Sequence, residues 1–289
     1  MNKKYLDLLR WGLIEIVKSI LTKISNYGLD GKQNLIIRFY NHFDSTYLFE
    51  DQFTTVTLQN NNQELYCNED GFSLNIKING VNKRITVPFD AVALILDPSA
   101  RFGLELGQVF DEYKISTPKH LEKSPEKIKF INHQTVVFNE NTNYDKYYYS
   151  QDHEYQIDYI EITRYYLINV IKQLLSTLLP HSNDSDEGFF IEFKKNYPGV
   201  IIPNGLNIKN EDLIIVSLKE KFFNLTVEEN EMTVILSFNN QLQKVVIPYK
   251  AITNFFDPNN DFKIDLSFID FIDEKILEQN ENKITYVEF

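Results

Sequence analysis

Few residues in this 289-residue chain are spaced to do chemistry. The five histidines, His42, His120, His133, His153 and His181, fall in stretches that read as loop or linker. A metal site needs donors at a ligand spacing, such as i and i+4 on one helix face, and no two histidines have one. No metal and no cofactor is expected. Cys67 sits in an apolar, strand-like stretch, where a buried, inert thiol is expected rather than a nucleophile. The ten glycines are dispersed, and no G-x-S-x-G, phosphate-cradling loop or dinucleotide fingerprint occurs. Asp97-Pro98 and Asp257-Pro258 invite a general acid/base reading. Each carboxylate stands without a second, however, and Asp before Pro commonly starts a turn, so turns are expected. The acidic run Asp184-Ser185-Asp186-Glu187 reads as a solvated loop. The chain is expected not to be an enzyme.

The elements that would position such residues come from a chain able to bury a core, 43% hydrophobic and 14% aromatic. Lys plus Arg is 29 against Asp plus Glu 41, a net charge of −12. That balance argues against nucleic acid, whose phosphates need clustered cations. A single cysteine excludes a disulfide scaffold. Met1-Asn2-Lys3-Lys4 leads into a segment broken by Asp7, Arg10 and Glu15, which is no signal peptide. No apolar run approaches the roughly eighteen residues of a membrane span. A soluble, cytoplasmic protein is expected.

The chain repeats itself. Pro88 and Pro248, Ala91 and Ala251, Asp97-Pro98 and Asp257-Pro258, and Phe102 and Phe262 share one offset of 160. Upstream the offset is 154, so the second copy carries six extra residues between its first two strands, around Pro198–Pro203. Leu6, Leu9, Leu13, Ile16 and Ile20 make a helical stripe, matched by Ile160, Leu167, Val170 and Leu174. Strands are expected at Leu35–Phe39 and Phe189–Phe193. Phe72, Leu74, Ile76 and Ile78 alternate with polar residues, and Met232, Val234, Leu236 and Phe238 keep the same register. Asn79-Gly80 and Asn239-Asn240 read as hairpin turns, and Pro88 and Pro248 close the next strand. Each copy is therefore one long helix and a meander of four or five strands. The boundaries are 1–106 for the first copy, 107–158 for a linker, 159–268 for the second and 269–289 for an acidic tail.

Ile78-Asn79-Gly80-Val81-Asn82-Lys83-Arg84-Ile85-Thr86-Val87-Pro88-Phe89, Phe255-Phe256-Asp257-Pro258 and Pro198-Gly199-Val200-Ile201-Ile202-Pro203 stand in a telling order. In that order the chain resembles the stringent starvation protein B family, the SspB adaptors of the ClpXP protease, and most of all their alpha-proteobacterial branch. The resemblance covers both copies, in tandem. It implies an α+β, mostly β fold: two lobes, each an N-terminal helix followed by a small open Sm/SH3-like β-barrel. Family members dimerise through the helix, so the two copies are expected to form an intrachain pseudo-dimer and the chain to be monomeric. Gly12 aligns with Tyr166, a small residue facing a large one at such an interface. The resemblance also implies a non-catalytic activity. Family members hold ssrA-type degradation tags or other extended peptides in a surface groove, and a short C-terminal motif tethers them to the ClpX unfoldase.

The family's groove involves the segment after the second strand, roughly LQHQFWDL in the alpha branch. Leu58-Gln59-Asn60 in the first copy keeps the glutamine, and the stretch to Leu65 lacks both aromatics. The second copy runs Leu218-Lys219-Glu220-Lys221-Phe222-Phe223, keeping aromatics without the glutamine. The resemblance therefore assigns peptide binding to Leu58, Gln59, Asn60, Leu218, Lys219, Phe222 and Phe223, although the two phenylalanines also fit a plain core. The tether falls to Ile284, Tyr286, Val287 and Phe289, with Thr135-Val136-Val137-Phe138 as a similar cluster in the linker. A strand folded back on the second copy is the other reading of the tail. Two further functions stay open: an Sm-like RNA-binding module, and an assembly platform with degenerate grooves.

Overall fold

A computed structural model describes residues 3–29, 33–41, 53–59, 65–78, 81–100, 102–106, 157–178, 188–203, 212–218, 222–238 and 240–267. The first copy has helix α1 (Lys3–Tyr27) and strands β1 (Asn34–Tyr40), β2 (Phe53–Gln59), β3 (Tyr66–Cys67), β4 (Gly71–Ile78), β5 (Val81–Pro88), β6 (Val92–Asp97) and β7 (Phe102–Glu105). The second has helix α2 (Tyr159–Leu178) and strands β8 (Phe189–Lys194), β9 (Leu213–Leu218), β10 (Phe222–Val227), β11 (Glu231–Phe238), β12 (Gln241–Pro248), β13 (Ile252–Asp257) and β14 (Phe262–Asp265). Among the described residues each copy has seven strands, where the sequence pattern suggested four or five. The extra ones are short: β3 spans two residues and β7 and β14 four each, too few for a period-two signal to stand out.

The fold is α+β and mostly β. Within each copy the strands form two antiparallel sheets. They run β2-β1-β6-β7 and β3-β4-β5 in the first copy, and β14-β13-β8-β9 and β10-β11-β12 in the second. Among the described residues no pairing closes these sheets into a barrel. The long hairpins keep identical registers: Phe72 opposes Val87 as Met232 opposes Ile247, and both end at a proline. Proline suits that end because it has no N–H to give a further ladder rung. Phe72, Leu74, Ile76, Met232, Val234 and Leu236 are buried, as the alternation requires. Asn240 holds a φ of 63°, the left-handed turn expected of Asn239-Asn240; Asn79-Gly80 lies outside the described residues.

By its contacts the chain divides into two compact units, Met1–Leu8 with Leu167–Phe289, and Leu9–Tyr166. Each unit takes its first helical turns from the other copy. In the first of these units, Tyr5 is buried against Phe189 and Phe262, and its hydroxyl donates to Asp257 Oδ2 at 3.0 Å. In the other, Tyr159 stacks on Phe102 with ring centroids 4.4 Å apart and donates to Asp97 Oδ2 at 2.7 Å. The helical stripe therefore begins one residue earlier than its apolar spacing suggests. Tyr5 and Tyr159 are buried where Leu6 and Ile160 are only partly so. A phenol reaches a buried carboxylate that leucine cannot satisfy, and such a charge-assisted bond contributes about 1.5–3 kcal/mol. The start of α2 is capped by Asp158, whose Oδ1 accepts from Glu161 N–H at 2.8 Å. The end of α1 is closed by Gly28, at φ 80°. Among the described residues no helix is long and apolar enough to cross a membrane.

Candidate functional site

Both Asp-Pro pairs are turns. Asp97 Oδ1 accepts from the N–H of Ser99 at 3.0 Å and of Ala100 at 3.2 Å. Asp257 Oδ1 accepts from Asn259 N–H at 3.0 Å, and its Oδ2 from the Asn260 amide at 2.7 Å. Both carboxylates are fully buried and each spends its second oxygen on a tyrosine. Burial, with the Asp97 charge and hydrogen bond, pushes the Tyr159 phenol far above its usual range. These carboxylates are saturated and shielded from water, so they hold structure and are not placed to move protons. Cys67 is half-buried on β3. Burial lifts its thiol to about 11, against the opposing bonds of Thr22 and Ser25, so it stays protonated at neutral pH. All five histidines lie outside the described residues.

Of the assigned peptide-binding residues, Leu218, Phe222 and Phe223 sit where two sheets of the second copy each present an edge. Among the described residues β9 pairs with β8 alone and β10 with β11 alone, and residues 219–221 separate the two strands in sequence. Main-chain N–H and C=O groups therefore face outward along two edges near one point, the arrangement that receives an extended peptide by strand addition. Outward side chains add apolar surface: Ile215 is 56% exposed, Leu213 41% and Phe223 44%. Phe223 pairs across the ladder with Ile235, which is partly exposed. Leu213 and Ile215 carry no motif and were not singled out by sequence; the alternation of β9 with buried Ile214, Val216 and Leu218 is the signal that finds them.

The assigned residues separate into two sets. Leu58, Leu218 and Phe222 have their side chains in the core, at 2%, 0% and 5% exposure. Gln59 and Phe223 face outward. Phe222 and Leu225 both point inward although three residues apart, because the β10 ladder slips between Phe223 and Thr226 and Asn224 takes a φ of 48°. That bulge resets the alternation, so that Leu225 turns inward after outward Phe223 and Asn224. Asn60, Lys219, Ile284, Tyr286, Val287, Phe289 and the cluster 135–138 lie outside the described residues.

The matching edge of the first copy is polar. β2 exposes Thr55, Thr57 and Gln59, and Arg38 on β1 reaches its neighbour's hydroxyl, Nε to Thr55 Oγ1, at 3.4 Å. In the second copy Glu192 occupies the place of Arg38 and turns the other way. Its Oε1 accepts from Thr253 Oγ1 at 2.7 Å and from the Asn254 amide at 2.6 Å, which leaves Ile215 bare.

No curated protein matches the chain. The family model for stringent starvation protein B matches it twice, over residues 44–155 and 161–285; the first match begins after β1 and runs on through most of the stretch 107–158 that was expected to be a linker. The duplicated helix-and-strand order, the shared Asp-Pro turns and these two matches agree: the chain belongs to the stringent starvation protein B (SspB) family, as a tandem repeat.

Proposed function

We propose that this protein is a non-catalytic adaptor that binds ssrA-type degradation tags and delivers the tagged proteins to ClpXP in the cytoplasm. Membership of the family supports the adaptor role. The observation that carries peptide binding is the meeting of the edges of β9 and β10, unpaired among the described residues, beside exposed Ile215 and Phe223. An extended tag bonds its main chain to these edges and seats apolar side chains against that rim. Leu218 and Phe222 brace the edges from within, while Phe223 touches the tag; Lys219 adds attraction for acidic tag residues. Gln59 and the β2 edge form the weaker counterpart in the first copy.

In this reading the two sheets of each copy wrap as a small open barrel, with lobes 1–106 and 159–268. The helices make the chain a monomeric pseudo-dimer. The exchange of Tyr5 and Tyr159 between copies supports that pairing, because each phenol completes a lobe it does not belong to in sequence. The tail residues Ile284, Tyr286, Val287 and Phe289 tether the chain to ClpX, which raises the local concentration of substrate at the unfoldase so that weak contacts suffice.

A labelled tag peptide titrated by fluorescence anisotropy beside a single-stranded RNA tests the reading. Saturable tag binding with no RNA binding is expected; the reverse makes the chain an RNA-binding module. Deleting 283–289 is expected to leave tag binding intact and abolish stimulation of ClpXP degradation. A deletion that instead lowers the Tm by several degrees makes the segment structural.

A further inference from the structure

Strands β10, β11 and β12 lie side by side in one sheet. Met232, Val234 and Leu236 of β11 point into the core, so Ile235 and Ser237 face outward. Ile235 stands opposite Phe223 on one side and Lys244 on the other, and Ser237 stands opposite Leu242. Leu242 is 63% exposed and Phe223 44%. Ile235 is partly exposed between them, with Leu242 as its diagonal neighbour. Beyond β12, Ile201 bridges to Val246, its N–H donating to Val246 O at 3.0 Å, and is 56% exposed. Lys244 is therefore an exposed cation bordered by Ile235, Leu242 and Val246.

The first copy keeps the geometry of this face and changes its chemistry. Exposed Asn75 and Asn82 take the places of Ile235 and Leu242, and Arg84 takes that of Lys244. The Arg84 guanidinium lies 4.5 Å from the centroid of the Tyr66 ring. Thr226 stands in the second copy where Tyr66 stands in the first, and Lys244 has neither a ring nor a carboxylate as partner among the described residues. A sheet face turned only to water needs no apolar residues, as Asn75 and Asn82 show; exposed apolar residues that adjoin one another mark a contact surface.

We propose that this face extends the tag site: the residues preceding a bound tag cross β10, β11 and β12 and set an acid on Lys244 with apolar residues to either side. The inference rests on the adaptor reading above and adds a selection among tagged proteins. Two observations choose the occupant. Phe223 belongs both to the β9–β10 rim and to this face, so a polypeptide leaving the rim has Ile235 as its next apolar contact. The stretch beside a bound tag is already tethered there, at high effective concentration. Charge supplies the second argument. An ammonium without a carboxylate, set among apolar side chains, loses water when the face is covered and then requires an anion. Lys244 lies two strand spacings from Phe223, about 10 Å, which about three extended residues span.

Three fluorescein-labelled peptides, titrated into the full chain by anisotropy, test it: an ssrA-type tag alone, the tag preceded by Leu-Asp-Leu-Gly-Gly, and the tag preceded by Ser-Lys-Ser-Gly-Gly. The Leu-Asp-Leu peptide is expected to bind about tenfold tighter than the bare tag, and the Ser-Lys-Ser peptide no tighter. Leu242→Asn installs the first copy's own residue at an exposed position, and Lys244→Glu reverses an exposed charge. Each is expected to leave the bare tag's affinity unchanged and to remove the gain, and Lys244→Glu to make Ser-Lys-Ser the better extension. If Leu242→Asn lowers the Tm, Lys244→Glu alone decides. A bare tag that binds, with no gain from Leu-Asp-Leu or with a gain that survives Lys244→Glu, overturns this inference and leaves the adaptor reading standing. A bare tag that does not bind defeats the adaptor reading, and the inference falls with it.

Discussion

At matching positions of the two edge strands, the second copy shows Ile215 and Ser217 where the first shows Thr55 and Thr57. On the adjoining sheet Phe223 faces Ile235, whereas the first copy has exposed Asn75 at the place of Ile235. Beneath these rims the two copies bury nearly the same positions, down to the aspartate that starts each Asp-Pro turn. The difference teaches that core and rim answer to different demands. A core residue is constrained by packing on every side, while an outward residue on an edge strand has few neighbours and is free to differ with its ligand. The copies therefore share one scaffold and differ at its surface: an apolar rim at β9–β10 in the second, a polar rim at β2 in the first.

The largest expected effects break what the copies share. Asp97→Ala and Asp257→Ala each strand a buried tyrosine hydroxyl and the amides of a turn, and each is expected to cost about 3 kcal/mol or more. Urea unfolding followed by circular dichroism measures it, and similar costs in both variants mark the two turns as equivalent. Tyr5→Phe and Tyr159→Phe keep the rings and are expected to cost about 1–2 kcal/mol each.

Next in size are variants that divide Phe222 from Phe223. Phe222→Ala opens a cavity and is expected to lower stability by about 3 kcal/mol. Phe223→Ala is expected to leave the melting curve unchanged and weaken tag binding about tenfold, roughly 1.4 kcal/mol. Stability loss from Phe223→Ala, with tag affinity intact, would return both rings to the core.

Period-two alternation and a constant offset were enough to show the duplication, the paired hairpins and the closing prolines. They could not resolve β10, because a bulge at Asn224 changes which side chain faces water, and no residue pattern announces where a ladder slips. The tyrosine exchange was equally hidden. Leu6 and Ile160 fit an apolar stripe better than their tyrosine neighbours do, and only the buried aspartate, 252 residues from Tyr5 along the chain, explains the choice. Pro198–Pro203 was visible as an element, but its partner strand was not, since a single bridge leaves no periodicity. At the candidate site, sequence pointed to the β9–β10 junction without singling out Leu213 and Ile215, which the outward face of β9 exposes.

Smaller effects sharpen the contrast between the copies. Ile201→Pro deletes the N–H that bonds Val246 and is expected to cost about 1 kcal/mol in the second copy alone. Amide hydrogen exchange at Val246 reads it directly. Smallest is an acid effect. Burial of Asp265 opposes its ionisation, but bonds from Ser267 and Lys263 prevail and hold its carboxyl below the ordinary 3.8. Because the folded value is lowered, this stabilisation is present above 3.8 and lost as pH falls through the lower folded value. Asp265→Asn is expected to flatten the acid limb of the stability curve.

Calorimetric titration of an ssrA-type tag into the full chain tests the division of surfaces most directly. One tightly bound tag per chain is expected, with its affinity about tenfold weaker when Phe223→Ala is added. Two equivalent tags per chain, or an affinity that Phe223→Ala leaves unchanged, would contradict the account by placing the working groove in the first copy or in both.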